Sequence, residues 1–457
     1  MRSHFRPVEI SDRRLTSTIA TIHSTSSGAA RSTLRNEDMR RSFVQRLCRS
    51  LVGAMFRDVE VRRDPRHLES GARITVANHF GGGSDGLVLI AVMPRWPRIL
   101  ARAVMWRVPP FGFLADRMRA IPVHQRRDGD GDNVSMFAEC FAALIDGDHL
   151  LVFPEGVTRD EPSIARVKTG TARIAIGAVE AGASDVVITP VGIHYTDKAT
   201  MRSDASVHFG PPIIMDEIGE TDVRALTAVI EDALRQVSPD FQDWAEHDAL
   251  TNASDVVLRA AARGESPVSL AERDRLASLL SDTSAEARQR IAGASDDYRR
   301  DLDALGIEDE DFVRRASSGS ILRKVALDLL IAIVMVPFAV VGAIVSAIPA
   351  ALVYLVGRLP VRRSVLASAK PVVAVVAFGI AWGIAAWRLG AEYGLSGVAA
   401  VLLLMPLYLG AVIILIERVG LAYQALRSLR RRGRVGSLYD RVAADRHAVV
   451  AAVAEAF

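Results

Sequence analysis

Beyond Lys324 the sequence changes abruptly, and that change limits the folds open to the chain more than any other feature. Val325–Val356 contains a single ionised residue, Asp328, while Pro371–Trp387 and Gly397–Ile416 contain none. A helix needs about twenty apolar residues to cross a hydrocarbon layer, and three such runs in succession are foreign to a soluble core. Residues 323–420 therefore read as membrane-embedded. The first run is too long for one straight span and holds Pro337 and Pro349, so it is expected to form a hairpin or to lie partly in the interface. With a hairpin, Arg323, Lys324, Arg358, Arg362, Arg363, Lys370, Arg418, Arg427, Arg430, Arg431, Arg432 and Arg434 share one face, which the positive-inside bias makes cytoplasmic. The expectation is an integral membrane protein ending in a basic amphipathic tail at 421–457.

The preceding residues have a different texture. Lys and Arg exceed Asp and Glu by only three charges over 457 residues, so no global field argues for a nucleic-acid partner. Cys48 and Cys140 stand apart from each other and from any histidine cluster, which suggests neither a disulfide framework nor a metal site. Residues 1–42, rich in Ser, Thr and Arg, read as a flexible arm, a composition that organelle transit peptides share. From Phe43 to Phe56 apolar residues recur at helical spacing among Arg46, Arg49 and Arg57. This predicts an amphipathic helix, suited either to a membrane surface or to the face of the next domain. Between about Val59 and Pro212 short apolar β-type runs alternate with helix-type stretches, the pattern of an α/β domain. Residues 221–322 carry mixed charges at helical spacing and read as helices without visible chemistry.

Chemistry concentrates in the α/β part. In NHFGGGSDG, His79 closes one strand and Asp85 opens the next apolar stretch, with Gly81–Gly83 letting the backbone turn between them. A histidine beside a carboxylate is the minimum for general-base work, because the acid fixes the ring tautomer and stabilises the imidazolium. In VFPEG an apolar strand runs into Pro154 and then presents Glu155, followed by Gly156, at a strand end where α/β sheets commonly bind ligands. Basic side chains follow two of these strands: Arg126 and Arg127 in RAIPVHQRR, Lys168 and Arg173 in RVKTGTAR. Together they suit a phosphomonoester.

In this order the motifs resemble those of the PlsC-type glycerolipid acyltransferase family: a His/Asp motif, a strand with a basic residue, F-P-E-G, then a hydrophobic V-P-V-G strand. Here they read NHFGGGSD, AIPVHQR, FPEG and ITPVGIHY. The phrases FPEGVTRDEP, VKTGTARIAIGA and HFGPPI are similar to the branch of yeast-type glycerol-3-phosphate and dihydroxyacetone-phosphate acyltransferases and their bacterial relatives.

The resemblance implies an acyltransferase domain over residues 43–220, with a mixed sheet flanked by helices, followed by a helical region and transmembrane helices. It implies His79 as general base, Asp85 as its orienting partner, Arg126 near the acceptor phosphate, Glu155 and Gly156 at the acceptor site, and Pro190 shaping a neighbouring wall. Five residues separate His79 from Asp85 where most of the family has four, so the glycine turn must bulge. Gln125 stands where the family usually has its Arg, which leaves the basic role open between Arg126 and Arg127. The implied reaction is acyl transfer from acyl-CoA or acyl carrier protein to glycerol 3-phosphate, or to lysophosphatidic acid, at the membrane lipid surface. Neither a metal nor a redox cofactor is implied.

Overall fold

The computed structural model describes residues 30–33, 43–64, 66, 71–107, 109–124, 133–219, 222–238, 240–262, 268–313, 318–432 and 436–457. Arg126 and Arg127 lie outside these residues, as does most of the expected N-terminal arm.

The α/β alternation folds into one nine-stranded mixed sheet. Its strands are β1 (Ala30–Thr33), β2 (Phe56–Arg63), β3 (Arg73–Ala77), β4 (Arg98–Arg102), β5 (Ile121–Val123), β6 (His149–Val152), β7 (Val187–Tyr195), β8 (Ser203–Phe209) and β9 (Ile213–Ile214). They lie in the order β1-β2-β8-β7-β3-β6-β4-β5, with β9 beside β7. β3 is parallel to both β6 and β7 at the centre, and all five of its residues are buried. One face of the strand carries the buried polar Arg73 and Thr75, where the Arg73 guanidinium donates to Thr189 Oγ1 of β7 at 3.4 Å, and the other carries the apolar Ile74 and Val76. Ala30–Thr33, expected within the flexible arm, instead adds an antiparallel edge strand to β2.

Pro190 sits mid-strand in β7, where a missing donor normally disrupts a ladder. Its carbonyl accepts from Gly210 N at 2.9 Å, in the turn where the edge of β7 passes from β8 to β9. The absent N–H faces that same gap, so no ladder bond is lost.

The amphipathic segment at 43–56 forms α1 (Phe43–Met55), which buries Cys48 and Val52 against α2 (Gly83–Val92). α2 is apolar around most of its circumference, and both α1 and the long apolar helix at 363–393 pack against it. It ends before Pro94, which cannot continue a helix. Further helices are α3 (Pro109–Arg117), α4 (Val134–Ile145), α5 (Gly170–Glu180), α6 (Met215–Ile218) and α7 (Val223–Val237). α4, α5 and α7 pack Leu144, Ile174, Leu226 and Ile230 onto Ile74 and Ile188 of the sheet. Each such side chain contributes about 1.5–3 kcal/mol on full burial.

A second core follows. α8 (Trp244–Ala261), α9 (Leu270–Ser281), α10 (Ala285–Leu305) and α11 (Asp309–Val313) gather around Leu250, Val257, Leu276 and Ile291. The N-caps Asp243, Ser269 and Ser284 each accept a first-turn backbone N–H, marking where three of these helices start. The segment expected as a basic amphipathic tail joins this core. Its last helix, α15 (Gly436–Ala454), buries Val442, Val449 and Val453 in this same core. Arg446 of the same helix is buried with them and donates to Asp309 Oδ1 at 2.8 Å.

Between these bodies run α12 (Ser318–Gly357), α13 (Arg363–Tyr393) and α14 (Leu395–Arg432), each long and apolar enough to cross a membrane. The hairpin expected in the first run is not resolved into two helices. α12 is continuous over 40 residues with Pro337 and Pro349 inside it. Neighbouring helices allow this, since packing and local adjustment offset the hydrogen bond each proline removes. Asp328, the lone ionised residue of that run, pairs with Arg418 of α14 at 2.8 Å.

Candidate active site

The site is built on the loop after β3. Asn78 extends the β3–β7 ladder with its side chain: its amide donates to Ile193 O at 2.9 Å and its Oδ1 accepts from Ile193 N at 2.7 Å. That fixes the point at which His79 leaves the sheet. The imidazole stacks on Phe153, with ring centroids 4.2 Å apart, and turns Nδ1 to Asp85 Oδ2 at 2.9 Å. The Asp85 carboxylate is fully buried, whereas the His79 side chain is 21% exposed.

Asp85 is held from three directions. Gly81 N donates to both of its oxygens at 2.9 and 3.0 Å, and Tyr195 OH donates to Oδ1 at 2.6 Å. With Gly81 N and Tyr195 OH already aimed at the carboxylate as donors, the 2.9 Å contact fits a histidine that donates from Nδ1. Residue 81 must be glycine at this approach, because a Cβ there would lie 2.5 Å from Asp85 Oδ1. The bulge needed for the five-residue spacing occurs at Gly82, whose φ of 65° favours glycine. Burial, and then the neighbouring Asp85, push the Tyr195 hydroxyl well above its ordinary range, so it remains a donor.

Glu155 was expected to face a crevice. It is instead 1% exposed and lies beneath the histidine, with Oε1 accepting from His79 N at 2.8 Å and Oε2 from Ala165 N at 2.9 Å. Burial pushes its carboxyl up, against the pull of these two N–H groups. Gly156 packs beside the amine of Lys168, which with Arg173 is exposed. Pro190 is buried in β7, next to Val76 of β3. The histidine, its acid, Glu155 and the Gly156–Lys168 pair are thus brought together, while Arg173 lies on the outer face of α5.

Sequence reasoning missed Tyr195, Phe153 and Lys198. Lys198, almost fully buried, bonds Phe80 O at 2.8 Å, Arg159 O at 3.2 Å and Asp160 at 2.8 Å, tying the His79 loop to the loop after Glu155. Tyr195 and Phe153 belong to quoted motifs, but which face of a strand they occupy depends on register. Lys198 carries no motif signal.

A histidine held by a buried carboxylate at the carboxyl edge of a mixed α/β sheet is an arrangement chemically suited to general-base work. Residues 58–194 match the family model described as Acyltransferase. It is 28% identical over 199 residues to glycerol-3-phosphate O-acyltransferase 2 of Saccharomyces cerevisiae, covering 40% of this chain and 26% of the yeast protein. It is also 28% identical over 224 residues to lyso-ornithine lipid O-acyltransferase of Brucella abortus, covering 42% of this chain and 79% of that relative. Among solved structures, 1-acyl-sn-glycerophosphate acyltransferase PlsC from Thermotoga maritima aligns with a TM-score of 0.34 at 17% identity, over 49% of this chain and 93% of that one.

Proposed function

We propose that the protein transfers a fatty-acyl group from an acyl thioester to a hydroxyl of glycerol 3-phosphate. The observation that carries this reading is the His79–Asp85 pair, with Nδ1 committed to the carboxylate and Nε2 left for the acceptor. His79 Nε2 takes the hydroxyl proton as the oxygen attacks the thioester carbonyl. The C–S bond of the tetrahedral intermediate then breaks, and the imidazolium returns its proton to the departing thiolate. No acyl-enzyme is required, because a positioned acceptor already replaces a bimolecular encounter. Coenzyme A or acyl carrier protein delivers the donor, and Arg126 with Lys168 receives the acceptor phosphate. The three apolar helices hold the site at a bilayer where acyl chain and product reside. The domain faces the cytoplasm on this reading, which rests on Arg363 and Lys370 at the end of α13 that lies against it.

A second reading is acylation of an acceptor that already bears one chain, such as 1-acylglycerol 3-phosphate. It is favoured by the similarity to the lyso-ornithine lipid enzyme, matched over 79% of that relative's length.

The test is thiol release from acyl-CoA by the chain in lipid nanodiscs, with each acceptor offered in parallel and the lipid product identified. Turnover with glycerol 3-phosphate that vanishes in His79→Ala is the expected result. Turnover with the lyso-lipid alone selects the second reading. Binding of acyl-CoA without thiol release would make the fold a silent lipid-binding module, and turnover retained in His79→Ala removes the general base.

A further inference from the structure

The start of α13 lies against the loop that carries His79 and Asp85. Ser368 Oγ accepts from Gly83 N at 2.8 Å, and Ser84 donates its hydroxyl to Ala367 O at 3.1 Å. These bonds hold the two residues immediately before Asp85. Within the turn, Ser84 also donates to Gly81 O at 2.9 Å and Asp85 N to Gly82 O at 3.2 Å. The first backbone donors of a helix need partners from outside it. Gly82, at the N-cap of α2, has no side chain to offer, so the Gly83 donor is satisfied by a membrane helix.

The same end of α13 reaches the other segment that fixes Asp85. Lys370 donates to Ala199 O, and Arg363 lies 3.8 Å from Asp197. Both acceptors belong to the loop that follows Tyr195, whose hydroxyl bonds the carboxylate. α13 thus contacts both segments that fix Asp85, the turn before it and the loop after Tyr195.

We propose that Ser368 is a positioning residue for the His79–Asp85 pair, so that membrane helix α13 completes the catalytic apparatus as well as anchoring it. The proposal rests on the acyl-transfer reading above. Removing the hydroxyl frees the Gly83 amide and lets the turn drift, which loosens the orientation of the histidine and leaves the phosphate contacts alone. The effect should therefore fall on kcat and spare KM.

The experiment uses the 457-residue chain in lipid nanodiscs, with acyl-CoA and glycerol 3-phosphate. Ser368→Ala is expected to lower kcat roughly threefold to tenfold, the factor of one lost hydrogen bond, with both KM values held within about twofold. Ser368→Thr keeps the hydroxyl and should restore wild-type kcat. Backbone hydrogen exchange over residues 80–86 should quicken in the alanine variant and not in the threonine one. Wild-type kcat in Ser368→Ala, or a loss confined to KM, overturns the proposal. If that variant fails to fold, exchange in the wild-type chain decides: a Gly83 amide as labile as an open loop also overturns it. Normal turnover in Ser368→Ala with none in His79→Ala removes this inference alone, whereas thiol release retained in His79→Ala removes the reading beneath it.

Discussion

His79 and Asp85 meet through Nδ1 and Oδ2 at 2.9 Å, with the acid sealed from solvent and the base one-fifth exposed. This division of exposure is what the proposed mechanism requires, with the proposed base open to substrate and the acid that would orient it kept inside. Among the described residues, the hydrogen-bond partners of the Asp85 carboxylate are Gly81 N, Tyr195 OH and His79 Nδ1.

Asp85→Asn should therefore cost far more than its near-identical shape suggests. The new amide NH₂ faces donors on every side, and the histidine loses the acceptor that sets its tautomer. The expected fall in kcat is roughly 10²- to 10⁴-fold. It is checked by thiol release under saturating donor and acceptor, and a variant within a few-fold of wild type would detach Asp85 from the mechanism.

Tyr195→Phe removes one donor from Asp85 and keeps the ring that stacks on Phe56 with centroids 5.3 Å apart. The carboxylate retains Gly81 and His79, so the loss is that of one hydrogen bond, roughly threefold to tenfold in kcat. Steady-state kinetics at fixed pH reads this, and an unchanged kcat would show that two donors suffice to fix the acid.

Glu155→Gln separates two roles for the F-P-E-G carboxylate. As found, Glu155 supplies an acceptor to each of two backbone N–H groups, and glutamine can serve only one while setting its own NH₂ against the other. An unsatisfied buried donor costs about 1–3 kcal/mol, so the variant should melt lower and lose kcat while acceptor KM stays put. An unchanged melting temperature with a raised acceptor KM would restore the direct substrate contact that the family resemblance implies.

The contrast between Glu155 and Asp85 shows what the linear chain discloses. The strand runs around His79 and the FPEG turn follow from hydrophobic period and from Pro and Gly chemistry, and so does the pairing of a histidine with an acid a few residues on. Whether an acid at a strand end faces a crevice or the protein depends on what packs over it. The Ala165 segment that covers Glu155 is placed by tertiary contacts, which local pattern does not encode. Ser368 is more remote still: it reaches Gly83 across 285 positions, from a run whose composition announces only a membrane helix. Pro337 and Pro349 misled in the opposite direction, because proline signals a break only where neighbouring helices do not offset it.

His208 on β8 gives the pH dependence a defined sign. Its pKa is pushed down to about 4 by burial first, and then by Arg62 of β2 and Arg275 of α9, against the weaker opposite pull of Asp64 and Asp274. The unfolded chain takes up this proton near the ordinary histidine value of about 6.5, well before the folded chain does. Folding stability is therefore unaffected by His208 above that pH and is lost progressively as pH falls from about 6.5 to about 4. His208→Gln cannot take up the proton in either state. Its melting temperature should gain on that of the wild type across this window, with the difference constant above neutrality. Melting curves of both proteins in nanodiscs at half-unit pH steps measure this, and parallel curves from pH 7 to 4.5 would mean that His208 titrates alike in the folded and unfolded chains.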